Sequence, residues 1–331
     1  MKILVIFTGG TIGSVVKGDW ILNDEKINYV LLKNYKNLTN DDKTEFDVFS
    51  PYSILSENLS AHELNMLSAC LEEKLTDGYD GIIITHGTDT LSYTASALSY
   101  MFSGAGIPII LVSSDHPLGD VRANGNINFC AAAEFIKRGL GKGVFVSYKN
   151  ASDEKVSIHC ASRLAQYTEG TANLYSIDNE PYAFFDNEVN LNPAFAAGKS
   201  GEQNSAVILR DNPEILVIES RPGDGFSYSL DNVKAVILRP YHSATLNTTS
   251  KEFEGFCKKA KEKNIPVFLV NAYSGVKYES AKLFEKLAIE VLPFCSFVAI
   301  YMKCWLAVSL KEDIRKFVKK QMAGEFSEKE I

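Results

Sequence analysis

Two short segments gather the residue types best suited to holding and polarising a small ligand. The first is Thr8-Gly9-Gly10-Thr11-Ile12-Gly13 and the second is Thr85-His86-Gly87-Thr88-Asp89-Thr90. Adjacent glycines let a backbone turn sharply and approach a ligand, and here hydroxyls flank them on both sides. In the second segment, backbone N–H groups and hydroxyls at the start of a helix could hold an anionic or carbonyl oxygen. Each has a structural alternative: glycine-rich strand-to-helix turns are common, and Thr88 or Asp89 can serve as a helix N-cap. The first segment does not fit GxGxxG and lacks GK[ST], which demotes the dinucleotide and P-loop readings. His62 and His116 have no ligand spacing to carboxylates or cysteines, so no metal site is expected.

The elements around these segments read as α/β. Ile3–Phe7 is a buried strand running into the first segment, and Gly81–Thr85, nearly pure isoleucine, is a strand covered on both faces and running into the second. In open parallel sheets ligands sit beyond the carboxyl ends of strands, where both segments lie. Ser60-Ala61-His62-Glu63 is a capping box, followed by Leu64, Leu67, Leu71 and Leu75 at helical spacing and stopped by Gly78. Thr90–Ser103 and Asn126–Lys137 read as helices, Ile107–Val112 and Val144–Tyr148 as strands. The alternation predicts a parallel, doubly wound sheet. Residues 150–190 are less regular. The small and polar stretch 193–212 is the best linker candidate. Beyond it Ile215–Glu219, Ala235–Leu238 and Pro266–Asn271 read as strands, and Lys251–Lys263, Glu279–Leu287, Phe297–Leu310 and Glu312–Met322 as helices. Polar residues Glu325–Ile331 are expected to fray. The expected organisation is a larger N-terminal flavodoxin- or Rossmann-like catalytic domain (1–192), a linker (193–212) and a smaller C-terminal α/β domain (213–331).

Composition narrows the function classes. The chain has 331 residues, 46% hydrophobic and 23% charged, with a net charge of −7. That is a globular composition, and the length suggests about two domains. With an acidic balance and no basic block, no nucleic-acid partner is expected. No apolar run approaches the ~20 residues of a membrane span, and the opening run Ile3–Phe7 is too short for a signal segment. The six cysteines, at 70, 130, 160, 257, 295 and 304, form no CxxC pair and read as reduced core thiols. Together these point to a cytoplasmic protein.

The two segments, in their pairing, order and spacing, resemble the two signature motifs of bacterial-type L-asparaginases, the threonine-nucleophile amidohydrolases. The likeness continues through Tyr93-Thr94-Ala95-Ser96-Ala97-Leu98, Pro117-Leu118, Arg122-Ala123-Asn124-Gly125-Asn126-Ile127-Asn128 and Leu238-Arg239-Pro240-Tyr241-His242-Ser243, and so spans most of the chain. The missing signal segment matches the cytoplasmic, type I-like branch. The resemblance implies that Thr11 is the nucleophile, attacking the side-chain amide of asparagine, and that Thr88 and Asp89 bind substrate and help activate the nucleophile or water. It implies that Gly10 and Gly87 contact substrate, and that Ser56 and Glu57 hold its α-carboxylate and α-amine. It also implies a small amino-acid substrate, no cofactor, and a homodimer or homotetramer.

The sequence departs from that pattern at two places. Trp20 falls where the family has a tyrosine in the loop after the first motif, and an indole N–H donates but cannot accept a proton. The family lysine that pairs with the second threonine and its aspartate falls at Ile158 or His159, with Lys155 the nearest lysine. His159 is a candidate base with its pKa near neutrality, or a structural histidine. His86, beside Thr88, is read as structural. The double departure leaves slow amide hydrolysis as the expected activity. The alternative is a catalytically degenerate relative that binds a small amino acid. A second rival, the amidase-like subunit of a tRNA-dependent amidotransferase, shares the motifs. It is expected to carry an extra domain before the first motif, which here begins at residue 8.

Overall fold

A computed structural model describes residues 1–23, 26–165, 170–195, 201, 205–272 and 278–327. In chain order the strands are β1 (Lys2–Phe7), β2 (Ser14–Lys17), β3 (Trp20–Asn23), β4 (Glu45–Phe49), β5 (Gly81–Thr85), β6 (Pro108–Val112), β7 (Gly143–Tyr148), β8 (Val156–Cys160), β9 (Ala183–Asp186), β10 (Glu188–Leu191), β11 (Ile215–Glu219), β12 (Ala235–Arg239), β13 (Val267–Leu269) and β14 (Ile289–Val291). The helices are α1 (Lys26–Thr39), α2 (Ala61–Lys74), α3 (Leu91–Met101), α4 (Gly125–Arg138), α5 (Lys251–Glu262), α6 (Phe297–Leu310) and α7 (Ile314–Lys319).

The larger sheet runs β10-β9-β8-β7-β6-β5-β1-β4. Its β4, β1, β5, β6 and β7 are mutually parallel, with Phe7 level with Thr85 and Thr85 level with Val112. This register brings the loops after β1, β5 and β6 to one edge. Alternate residues face opposite ways. Leu4, Ile6, Ile82 and Ile84 pack under α2, α3 and α6, while Ile3, Val5 and Ile83 pack under α1 and α4. Cover on both faces is why β5 is apolar at almost every position.

The expectation of a parallel sheet needs one correction. Residues 150–190 contribute β8, β9 and β10, and these join antiparallel, so the sheet is mixed. The smaller sheet, β11-β12-β13-β14, is wholly parallel. The helix expected over 279–287 is a 3-10 turn, Glu279–Leu283, and that over 312–322 is the shorter α7, started by Asp313, whose side chain accepts from the Lys316 N–H.

Helix α6 is apolar almost all round because it lies between two cores. Val298, Ala299, Met302 and Leu306 enter the core of the larger sheet, and Ile300 and Cys304 that of the smaller. Residues 196–200 and 202–204 of the expected linker lie outside the described residues. Residues 205–210 are tied on both sides: Asn65 of α2 exchanges two hydrogen bonds with the backbone of Leu209 (2.7 and 2.9 Å), and the Trp305 indole of α6 donates to the Arg210 carbonyl at 2.7 Å.

The tail also differs from expectation. Residues 325–327 are not frayed, whereas 328–331 lie outside the described residues. Glu325 is 0% exposed and pairs with the equally buried Lys303 of α6. Its carboxylate also accepts the backbone N–H groups of Met322 and Ala323. Buried Arg163 donates to the carbonyls of Gly324 (2.7 Å) and Phe326 (3.0 Å), and Ser162 Oγ donates to that of Ala323 at 2.7 Å. A carboxylate can be buried when its charge and lone pairs are met in this way.

Glu325→Ala leaves the Lys303 ammonium buried without its carboxylate, and breaking such a pair costs about 3–5 kcal/mol. The urea midpoint of the variant is expected to fall accordingly. A loss of under about 1 kcal/mol, the scale of an exposed pair, would show that the tail does not sit against α6.

Candidate active site

The site begins where β1 and β5 end. Thr8 Oγ1 donates to the Thr85 carbonyl at 2.6 Å, and the His86 N–H donates to the Val112 carbonyl at 2.9 Å, stitching the ends of β1, β5 and β6 together. Beyond Thr8 the chain turns through Gly9 (φ 99°) and Gly10 (φ 77°), a region that side chains rarely adopt. The Gly10 N–H donates to the Ile54 carbonyl at 3.0 Å, and the Ile54 N–H to the Thr8 carbonyl at 3.1 Å, so the segment carrying Ser56 lies along the end of β1. A 3-10 turn, Thr11–Gly13, follows, with Gly13 N–H and Ser14 Oγ both donating to the Gly10 carbonyl.

Three turns meet here, two of them backbone to backbone and the third through the Ser56 side chain. A Cβ on Gly10 would lie 2.3 Å from the Gly87 nitrogen, and one on Gly87 would lie 2.4 Å from Ser56 Oγ. Thr11 and Thr88 each follow one of these touching glycines, so the contact draws the two half-buried threonines toward one place. Ser56 is buried, and its hydroxyl donates to Asp89 Oδ2 over a long 3.4 Å. Asp89 and Glu57 are exposed. The turn after β5 also leads into α3, whose N-terminal N–H groups favour negative charge beside Thr88. Hydroxyls, N–H donors and carboxylates here can take a small zwitterion and polarise a carbonyl.

His86 is 2% exposed. Its Nδ1 lies 2.8 Å from the Gly87 carbonyl, which only accepts, so Nδ1 carries the proton; Nε2 then accepts from Thr94 Oγ1 at 2.9 Å. Burial pushes its pKa down to about 4. With both nitrogens engaged, the ring braces the Gly87 peptide and has no free lone pair for a base.

Trp20 and His159 both lie apart from these turns. Trp20 stands 73% exposed on the β2–β3 hairpin, level with Lys17, its indole largely in solvent. His159 lies in β8, with β6 and β7 between it and β5, and its Nδ1 pairs with Ser176 Oγ at 2.8 Å. Burial lowers its pKa to about 4, so it is a neutral core histidine and not a base near neutrality. Ile158 fills the core under α4, and Lys155 pairs with Asp186 at 3.8 Å on the surface. Among the described residues no lysine pairs with Asp89, and no group of three His, Cys, Asp or Glu is arranged to hold a metal ion. Sequence reasoning misses Thr90 and Thr94 as parts of the site. The run of hydroxyls from Thr85 to Thr94 is the available signal, but Thr90 finds its partner in the Ser56 turn and Thr94 bonds back to His86 across the start of α3.

Residues 2–195 match the family model described as the N-terminal region of asparaginase. A subunit of the glutamyl-tRNA(Gln) amidotransferase of Methanobrevibacter smithii is 26% identical over 99% of this chain and 77% of its own length. The corresponding subunit of Methanosarcina barkeri is 27% identical over 68% of this chain and 53% of its own length. Among solved structures, the thermostable L-asparaginase from Thermococcus kodakarensis superposes with a TM-score of 0.80 at 23% identity, covering 99% of this chain and 100% of that one. L-asparaginase I from Vibrio cholerae gives a TM-score of 0.82 at 20% identity, covering 98% and 99%. At these identities the superpositions establish a shared fold. Among the described residues no helix is long and apolar enough to cross a membrane.

The buried histidines set an acid sensitivity. Their folded pKa of about 4 lies below the ordinary 6.5, so the unfolded chain binds protons in that window and the native one does not. Stability is therefore full above pH 6.5 and falls as pH drops toward 4, by about 1.4 kcal/mol per unit for each histidine. His159→Gln is expected to remove about half of the histidine-dependent decline between pH 6.5 and 5 in urea midpoints. An unchanged slope would mean that His159 titrates as a solvated group.

Proposed function

The chain belongs to the asparaginase family, and from that premise we propose that it hydrolyses the side-chain amide of L-asparagine or a related small amide. In this reading Thr11 Oγ attacks the amide carbon, a tetrahedral oxyanion is met by N–H groups of the two glycine turns, and the hydroxyl proton passes to the departing nitrogen as the C–N bond breaks. Ammonia leaves, water attacks the threonyl ester, and aspartate and the free hydroxyl are released. Thr88 and Asp89 assist proton movement at the nucleophile or water. Ser56 takes the α-carboxylate, Asp89 and Glu57 take the α-amine, and Gly10 and Gly87 line the ligand. Catalysis belongs to residues 1–192, in a cytoplasmic homodimer or homotetramer of the type I-like branch. The observation that carries this reading is the backbone contact between Gly10 and Gly87, which supports a single site containing both threonines. The lack of a lysine at Asp89 among the described residues supports slow turnover, since one positioned acid–base group is worth ~10²–10⁴-fold.

A second reading is favoured by the match of 99% of this chain to a glutamyl-tRNA(Gln) amidotransferase component. In it the same hydrolysis supplies ammonia to a partner protein, and the amide donor differs from asparagine. A degenerate binder remains the third outcome of one assay. Ammonia release is measured on asparagine and glutamine, beside thermal shift with aspartate. Release from asparagine supports the first reading, release from glutamine in preference supports the second, and stabilisation without turnover selects the binder.

Thr11→Ala and Thr88→Val are each expected to lower ammonia release by several orders of magnitude while leaving Tm intact, because members of a cooperative constellation fail together. More than about a tenth of wild-type activity in either variant, one pK unit of barrier, removes that threonine from the mechanism. Asp89→Ala is expected to weaken aspartate binding by at least tenfold in calorimetry, the scale of a lost charge-assisted hydrogen bond of about 1.5–3 kcal/mol.

A further inference from the structure

Most helices here that begin at a short polar residue begin in the ordinary way. Ser60, Ser250, Ser296 and Asp313 stand at N-cap positions, and each side chain accepts a backbone N–H from its own first turn: His62, Phe253, Ala299 and Lys316. Thr90 holds the same position at the start of α3 and is chemically fit for the same task. Its hydroxyl makes no cap bond. It donates instead to the carbonyl of Ser56 at 2.8 Å, across 34 positions of sequence.

That bond joins the two turns that carry the amino-acid end of the site. Asp89 precedes Thr90 directly, and Ser56 is the residue whose hydroxyl reaches Asp89. The Ser56 Oγ–Asp89 contact is 3.4 Å, too long to hold the turns by itself. The Thr90 bond is shorter and half-buried. Gly87 lies against Ser56 so closely that any side chain there would collide with it, so the turns are in register only over a narrow range. The geometry points to Thr90 as a positioning residue: its hydroxyl fixes the Ser56 turn against the Thr88–Asp89 turn and so sets the spacing of the groups that hold the ligand's α-carboxylate and α-amine. This rests on the function proposed above.

Thr90→Val keeps the shape and removes the hydroxyl. The Ser56 carbonyl still accepts the Leu59 N–H at 3.0 Å, so no buried acceptor is orphaned and the fold survives. With a wild type that binds L-aspartate, the variant is expected to raise the aspartate Kd and the asparagine KM about fivefold to tenfold, the scale of one net hydrogen bond. Its kcat stays within about threefold, and its Tm moves by less than about 2 °C, under the shift of a lost cap. Thr90→Ser is expected to restore both constants. Wild-type Kd and KM in Thr90→Val overturn the proposal, as does a lower Tm with KM unchanged, which would mark a helix cap. If the valine variant fails to fold, Thr90→Ala is read in the same way, and Thr90→Ser matching Thr90→Ala instead of the wild type overturns the role of the hydroxyl. A wild type that neither binds aspartate nor releases ammonia overturns the functional reading itself, which is distinct from an unaffected variant of a competent enzyme.

Discussion

A contact between two backbones governs this site. Gly10 and Gly87 approach so closely that a methyl group on Gly10 would overlap the Gly87 amide. The constraint reaches outward in steps. Both turns must leave their strands at the same level, which the register of Phe7 with Thr85 provides. Gly10 must take a positive φ, open without cost only to glycine. Ser56 must then pack over Gly87, which draws the segment after β4 to the end of β1 through the paired bonds of Ile54. The candidate nucleophile and its partners are therefore neighbours through the backbone, and the side chains inherit their positions from it.

Holding such turns needs a frame that does not flex, and α6 supplies part of it. A helix apolar almost all round is stable only where most of its surface is covered, and here the cores of two sheets provide the cover. The tail completes it. Lys303 of α6, Glu325 of the tail and Arg163 beyond β8 form a buried polar cluster whose members each find partners, with Arg163 resting on the Phe195 ring. An apolar cluster of equal volume would stabilise as well or better. What the charged one adds is specificity: each donor has few acceptors that satisfy it, so the tail has few seats.

Much of this is legible in the sequence, and the failures have physical reasons. β1, β5 and the two motifs can be read because a strand covered on both faces leaves an unbroken apolar run that ends at glycine. The capping box at Ser60 is legible, and present, because both its partners are local. The antiparallel strands β8 to β10 are not readable as strands. β8 and β10 do alternate apolar with polar residues, but over only five and four positions, and β9 does not, so the pattern is too short to stand out until pairing with neighbours makes them a sheet. The tail misleads because charge near a terminus usually means solvent, whereas Glu325 finds Lys303 22 positions away. His159 stays open between base and structural histidine in the sequence because the deciding quantity, its burial, is invisible there and opposes the charged form.

The hydroxyls of the second motif show why site residues resist local reading. Several hydroxyls on helices take a nearby carbonyl of their own helix: Thr39 donates to the Tyr35 carbonyl, Ser99 to Ala95, and Ser309 to Trp305, each four residues back. Thr94 is mid-helix and could do the same, yet its hydroxyl meets His86. Thr90 could cap α3, yet its hydroxyl meets Ser56. Thr8 likewise reaches across to Thr85. Asn124, at the start of α4, uses its amide on Lys149 and Asp115 in neighbouring loops and not on its own helix. For Thr8, Thr90 and Asn124 a local bond that any sequence can make is replaced by one that exists only when two separate segments are correctly placed, and the Thr94 bond likewise needs the β5–α3 turn in one conformation. A local bond stabilises a helix in every conformation of the rest of the chain, whereas these bonds stabilise one arrangement of the strand ends. Their concentration at the carboxyl edge of the larger sheet is what distinguishes a built site from a glycine-rich turn, and it is a signal that single-sequence patterning, which sees only near neighbours, does not contain.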